Sequence, residues 1–116
     1  MTWNLSTDQK ERFLELMDNL GAHSTYYVNG IAEELLKCGL PTSINIEENC
    51  LLIGSKKIFS TQPEWGNPGI HPTDVLLTVI NHFEFEINSN MTGKGFYHRD
   101  MLHKLAIAWN IDKKYL

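Results

Sequence analysis

The stretch SINIEENCLLIGSKKIFS, from Ser43 to Ser60, decides the fold class because its apolar residues alternate with polar ones. Ile44 and Ile46 flank a polar residue, and further apolar positions follow two polar turns. Alternation of this kind, with turn residues between the runs, is typical of short strands joined tightly to one another. The stretch therefore predicts two or three antiparallel strands in a small sheet.

Two helical patterns precede this stretch. Ser6 and Gln9 have the spacing of a capping box, and apolar residues then recur at helical intervals up to Gly21. The second pattern begins after Thr25, which is placed to cap a helix, and it ends before Gly39. The N-terminal part of the chain is thus predicted to contain two helices.

The region after the sheet is less regular. The segment TQPEWGNPGIHP, from Thr61 to Pro72, contains three of the four prolines and predicts an irregular loop. A helix is predicted to follow Pro72, although residues 83–87 alternate and permit a strand beyond His82. A last helix is predicted to end near Asn110.

Together these patterns predict an α+β fold class, with two N-terminal helices, a small antiparallel sheet and one or two C-terminal helices packed on it. The 116 residues are expected to form a single globular domain over 1–116. A chain of this length buries roughly two-thirds of the surface that its unfolded form exposes, so one core is sufficient.

Charge is distributed unevenly along the chain. The formal net charge is −4, with five basic and twelve acidic residues in 1–90 and five basic and two acidic residues in 91–116. Duplex-binding domains usually carry a broad basic face, because neutralising phosphates dominates their affinity. We therefore predict no duplex nucleic acid as a partner.

The compartment is predicted from two further features. Charged residues interrupt the first twenty positions, which disfavours a secretory signal, and no apolar run approaches the ~20 residues of a membrane span. Cys38 and Cys50 form no CxxC pair, which favours reduced thiols. These features predict a cytoplasmic protein that does not bind a membrane.

The segment MTGKGFYHRDMLHK runs from Met91 to Lys104. It combines a glycine-containing loop with a predicted helix start that is rich in hydrogen-bond donors, an arrangement suited to binding an anion. It lacks the length and glycine spacing of a phosphate-binding P-loop. The segment supports an alternative hypothesis, a site for phosphate, nucleotide or another small anion, with or without hydrolysis. Its anion-binding residues would be Lys94, His98, Arg99 and His103.

Catalysis and metal binding are not favoured by the histidines. His98 and His103 are five residues apart and would lie on different faces of one helix, without a nearby cysteine or paired carboxylate. A catalytic site assembled from scattered residues, such as His98 with Asp100 or His71 with Glu64, stays open. We predict no metal, no cofactor and no catalytic residue, and the chain is interpreted as a binding protein more readily than as an enzyme.

The favoured hypothesis concerns acidic residues and one tryptophan. Trp65 lies in the proline-rich loop, and large rigid side chains of this type are enriched at binding hot spots. Acidic residues on the predicted helices and in the turn between strands are suited to a basic partner. The predicted partner-binding residues are Glu33, Glu34, Glu47, Glu48, Glu64 and Trp65.

These features favour a small acidic intracellular binding protein that neutralises or regulates a macromolecular partner. Inhibitors and immunity-type proteins share this profile of size, charge and missing catalytic motif, which is an analogy of composition. The predicted partner is a protein with a basic surface. A subunit of a larger assembly, with Trp65 and the helix predicted after Pro72 buried at an interface, is a third hypothesis.

Overall fold

A computed structural model describes residues 3–21, 26–60, 69–84 and 98–111 of the chain. Its helices and sheet follow the predicted order, and the α+β fold class is confirmed. In chain order the elements are α1 (Thr7–Leu20), β1 (Tyr26–Tyr27), α2 (Val28–Lys37), β2 (Thr42–Asn45), β3 (Cys50–Ile53), β4 (Lys56–Phe59), β5 (Gly69–Ile70), α3 (Pro72–His82) and α4 (His98–Ala108).

Helix α1 begins at the predicted capping box. The hydroxyl of Ser6 accepts a hydrogen bond from the Gln9 amide at 3.2 Å, and the Gln9 side chain accepts one from the Ser6 amide at 2.9 Å. Each bond satisfies a backbone donor that the first turn of a helix leaves unpaired. The helix ends at the predicted glycine, where the Gly21 amide donates to the Met17 carbonyl at 2.8 Å.

The predicted start of the second helix and the predicted end of the irregular loop are wrong in detail. The second helix starts at Val28, because Tyr26 and Tyr27 form a strand that pairs antiparallel with Gly69 and Ile70. The end of the predicted irregular loop is therefore a strand. This pairing joins residues far apart in sequence, so the local helical pattern around the tyrosines could not reveal it.

The predicted antiparallel sheet is confirmed, with strand order β2-β3-β4. Leu51 of β3 lies opposite Ile44 on one side and Ile58 on the other, and all three pack in or against the core. Successive strand residues point to opposite faces, so Phe59 and its partner Cys50 lie on the face turned away from Leu51. On that face Cys50 is still buried, whereas Phe59 is exposed.

Helix α3 confirms the predicted helix after the proline-rich segment. Pro72 occupies its first turn, where a missing amide hydrogen costs nothing, and the His71 ring caps it by accepting from the Thr73 amide at 3.2 Å. The helix ends at His82, and Phe83 follows as its cap. The alternative strand beyond His82 extends outside the described residues.

The core forms where α1 packs against the other three helices, while α2 and α3 also contact the sheet. Phe13 is fully buried there, and its ring meets that of Trp109 edge-on at a centroid distance of 5.8 Å. This contact joins α1 to the residue that follows α4. Further fully buried residues come from the helices and the sheet: Leu14, Met17, Ile31, Leu35, Leu51, Ile53, Leu76 and Leu102.

A second aromatic group fixes the segment before α1. The Trp3 ring stacks on that of His82 at a centroid distance of 3.6 Å, and Phe83 meets Trp3 edge-on at 5.9 Å. Trp3 is buried, and it packs the N-terminal segment against the core. Desolvation lowers the pKa of His82, so the neutral imidazole is the favoured partner of the indole.

This stacking predicts a pH-dependent fluorescence signal. An imidazolium in contact with an indole quenches its emission, so we expect tryptophan fluorescence to fall on acidification, with a midpoint below the ordinary histidine pKa of about 6.5. The His82→Gln variant should lose this transition. His103→Gln, on α4, serves as the matched histidine control, and a transition that survives in His82→Gln would assign the signal to another group.

Candidate functional site

The most exposed large apolar side chains in the described part of the chain lie at one end of the sheet. Ile46, in the turn after β2, is 83% exposed, and Phe59, at the end of β4, is 61% exposed. Asn45, which precedes Ile46, pairs with Cys50, and Cys50 pairs with Phe59. The ends of β2 and β4 are thus two strand spacings of about 4.8 Å apart, and both flank the turn between β2 and β3.

Hydrogen bonds shape this turn. The Asn45 side chain accepts from the Glu48 amide at 3.1 Å, and the Asn49 amide donates to the Ile46 carbonyl at 3.3 Å. Asn49 adopts a left-handed φ of 53°, which asparagine tolerates better than most residues. Its carbonyl accepts from both the amide and the hydroxyl of Ser60, at 2.9 and 2.7 Å. The turn is therefore tied to the residue that follows Phe59.

The two predicted acidic residues of the turn differ in their surroundings. Glu48 forms an ion pair with Lys57 at 2.8 Å, and its hydrogen bond and charge raise the pKa of the Lys57 ammonium. Glu47 is exposed and has no ion pair within the described residues. Glu47 thus adds an exposed carboxylate to the turn that contains Ile46. We call Ile46, Glu47, Glu48 and Phe59 the hairpin-tip surface.

The acidic residues of α2 lie elsewhere. Glu33 is exposed, and Glu34 forms an ion pair with Lys37 at 3.5 Å. The Thr42 hydroxyl donates to the Ala32 carbonyl at 3.0 Å, so the start of β2 lies beside this part of α2. The hairpin-tip surface follows the other end of β2, about 10 Å away at 3.3 Å per residue. The two acidic pairs therefore do not form one compact cluster.

Three of the predicted site residues, Glu64, Trp65 and Lys94, lie outside the described residues, so the hypotheses that concern them remain predictions. The other residues of the anion hypothesis lie on α4. His103 is partly buried, while His98 and Arg99 are directed towards the end of α1.

His98 and Arg99 both bind groups of α1. His98 Nε2 donates to the Met17 carbonyl at 2.8 Å, and Arg99 forms an ion pair with Asp18. These contacts occupy donors that the sequence pattern assigns to an anion. The anion site stays a prediction, and the observed contacts of these two residues join α4 to α1.

The cysteines are buried and free, in agreement with the predicted reduced thiols. Burial raises the pKa of Cys38 to about 11, with the nearby Arg12 guanidinium opposing this rise. Since the thiolate is the nucleophile, Cys38 is almost entirely in its unreactive form near neutral pH.

Neither Ile46 nor Phe59 is among the site residues predicted from sequence. The alternating pattern places Ile46 in a strand, whereas it lies in the turn. Phe59 follows Ile58 directly, and two neighbouring strand residues cannot both face the core. The sequence therefore indicates that either Ile58 or Phe59 faces away from the core. Deciding which of them does so requires the pairing register of β4 with β3.

The described ranges contain no recognisable metal centre, because no group of three or more histidine, cysteine, aspartate or glutamate residues within them is placed to hold an ion. None of the helices in these ranges combines the length and the apolar character that crossing a bilayer requires. No family model, curated protein or solved structure gives a significant match to the chain.

Proposed function

We propose that this chain is a small acidic binding protein that captures a protein partner with a basic surface and so neutralises or regulates it. The observation that carries the proposal is the hairpin-tip surface, where Ile46, Glu47 and Phe59 are all exposed at one end of the sheet.

Exposed apolar side chains contribute to the buried centre of an interface, whereas exposed charges contribute to the encounter with the partner. Single exposed apolar residues are common, but an aromatic and a branched aliphatic side chain at one sheet end can supply the buried centre of an interface. A rim carboxylate such as Glu47 accelerates encounter with a basic surface and disfavours acidic competitors. The net charge of −4 acts in the same direction.

The ion pair of Glu48 with Lys57 has a different role. At 2.8 Å it joins the turn to β4, on which Phe59 lies. Both side chains are more than two-fifths exposed, so the pair contributes little to stability but restricts the geometry of the surface. The partner therefore meets a turn already held in place.

The test has two stages. Tagged protein is used to recover a partner from lysate of its source cells at low salt, and the recovered protein is then purified and its affinity measured. We expect Phe59→Ala and Glu47→Lys each to lower affinity by about tenfold or more, the first as a hot-spot truncation and the second as charge reversal. Neither change should alter the melting temperature by more than a few degrees.

Matched controls locate the interface. Ile107→Ala removes an apolar side chain of similar exposure on α4, at 55%, and should leave affinity unchanged. A Glu33→Lys, Glu34→Lys double variant tests the predicted acidic residues of α2. Loss of affinity in this variant but not in the hairpin-tip variants would move the interface to α2. Unchanged affinity in all of them would refute the proposal for the described acidic residues.

A further inference from the structure

Two imidazoles lie at the start of α3 and share one threonine. The His71 ring accepts from the Thr73 amide at 3.2 Å through Nδ1, and the Thr73 hydroxyl is 3.4 Å from Nδ1 of His98. His71 precedes α3, whereas His98 begins α4. A single residue of α3 therefore connects two imidazoles from different parts of the chain.

The other side of the His98 ring contacts the end of α1. Its Nε2 lies 2.8 Å from the Met17 carbonyl, which can only accept, so Nε2 carries a hydrogen. In the neutral ring Nδ1 is then an acceptor for the Thr73 hydroxyl. The ring is closely packed, since a Cβ atom at Gly21 would be only 2.5 Å from Cδ2 of His98. The contact thus specifies one tautomer in one position.

Protonation changes both imidazole contacts. A protonated His71 has hydrogens on both ring nitrogens, so Nδ1 can no longer accept from the Thr73 amide and the cap of α3 is lost. A protonated His98 carries a hydrogen on Nδ1, which forces the Thr73 hydroxyl to become an acceptor. Both charges would also lie near the partial positive charge at the start of α3.

Burial and two other residues, Met17 and His71, act on the pKa of His98. Desolvation by its half-buried position lowers the pKa of His98, the hydrogen bond to Met17 raises it, and the charge of His71 lowers it. The acidic side chains at these helix ends are partly or fully exposed, and Asp18 pairs with Arg99. The charged groups of these helix ends are Asp18 on α1, Asp74 on α3, and Arg99 and Asp100 on α4.

We propose that His71, Thr73 and His98 form a pH-sensitive latch, which holds the starts of α3 and α4 against the end of α1 near neutral pH and releases them on acidification. Strand β5 immediately precedes His71, so the release is expected to reach its pairing with β1 as well. The latch operates in the isolated protein and does not depend on the proposed binding function.

The direction of the pH effect follows from linkage. Because its pKa is lowered in the folded state, His98 binds fewer protons in the folded than in the unfolded protein. Its stabilising contribution is fully present above the unfolded pKa of about 6.5 and is lost as the pH falls through the folded pKa. We therefore expect the release to begin below the ordinary histidine pKa.

Two variants remove the imidazoles while retaining hydrogen bonds. His71→Asn keeps an acceptor for the Thr73 amide, since asparagine is a good N-cap, and His98→Gln keeps a donor for Met17. Both are made in a His82→Gln background, which removes the titration beside Trp3. His103→Gln in the same background is the control for losing a histidine from α4.

Melting temperatures are measured between about pH 7.5 and pH 5.5. We expect the background protein and the His103 control to lose about 4 °C or more, and the His71→Asn, His98→Gln combination to lose less than half as much. Equal losses in all of these proteins would overturn the latch.

An NMR titration of the unmutated protein is a second, independent test of the latch. It does not depend on whether the variants fold. The Cε1 proton of His98 and the amide of Thr73 should shift together, with a midpoint below about 6.5. A His98 midpoint above this value, or a Thr73 amide that does not respond, would also overturn the proposal.

Discussion

Replacing Phe13 by alanine is expected to lower the free energy of unfolding by about 3–5 kcal/mol. Phe13 is fully buried on α1, and its ring meets Trp109 edge-on, so truncation removes both its own apolar contacts and a wall of the site that holds Trp109. Natural domains are stable by only about 5–15 kcal/mol. The variant should therefore be marginally folded, as measured by urea unfolding.

Two comparisons separate the causes of this loss. Phe13→Leu retains most of the apolar volume and should lose less, because it leaves a smaller cavity while still deleting the aromatic contact. Tryptophan emission should also shift to longer wavelength in the alanine variant as Trp109 becomes more solvated. A loss below about 1 kcal/mol for Phe13→Ala would show that this contact between α1 and the end of α4 contributes little to the core.

Replacing Gly39 by valine is expected to destabilise the protein by roughly 2–4 kcal/mol. Gly39 follows α2 with a φ of 86°, a conformation that a β-branched residue adopts only under strain. In addition, a Cβ atom there would lie 2.7 Å from Nε2 of Gln9, whose side chain completes the capping box of α1. One substitution should therefore strain a turn and disturb the start of another helix.

A double-mutant cycle distinguishes these two contributions. In a Gln9→Ala background the steric conflict is absent, so Gly39→Val should cost less than in the natural sequence, and the difference is the coupling between turn and capping box. Gly39→Asn tests the backbone contribution, since asparagine tolerates positive φ. Equal costs for Gly39→Val in both backgrounds would show that only the backbone conformation matters. The measurement is again urea unfolding.

Local chemistry explains which parts of the fold can be predicted from sequence. The capping box at Ser6 and Gln9 satisfies helix-end amides within three residues, so the start of α1 is encoded where it occurs. The strands of the larger sheet are separated by short turns, so their presence and order can be predicted from local alternation. The pairing of Tyr26 with Ile70 is different, because its partners are far apart and neither segment has a strand pattern of its own.

Only part of the candidate site can be predicted in this way. Glu47 and Glu48 can be selected because charged residues in a turn between strands are expected to be solvated. The exposure of Phe59 depends on its position opposite Cys50, which is a property of the assembled sheet. The same limitation applies to His98, whose hydrogen bond to Met17 joins distant parts of the chain.

The packing of α1 against the end of α4 also determines when folding can finish during protein synthesis. About a hundred residues separate Phe13 from its partner Trp109, so the first leaves the ribosome well before the second. At roughly 5–20 residues per second, the delay is about 5–20 seconds. During that interval the apolar side of the first helix lacks part of its cover, and the nascent chain presents a surface of the kind that chaperones bind.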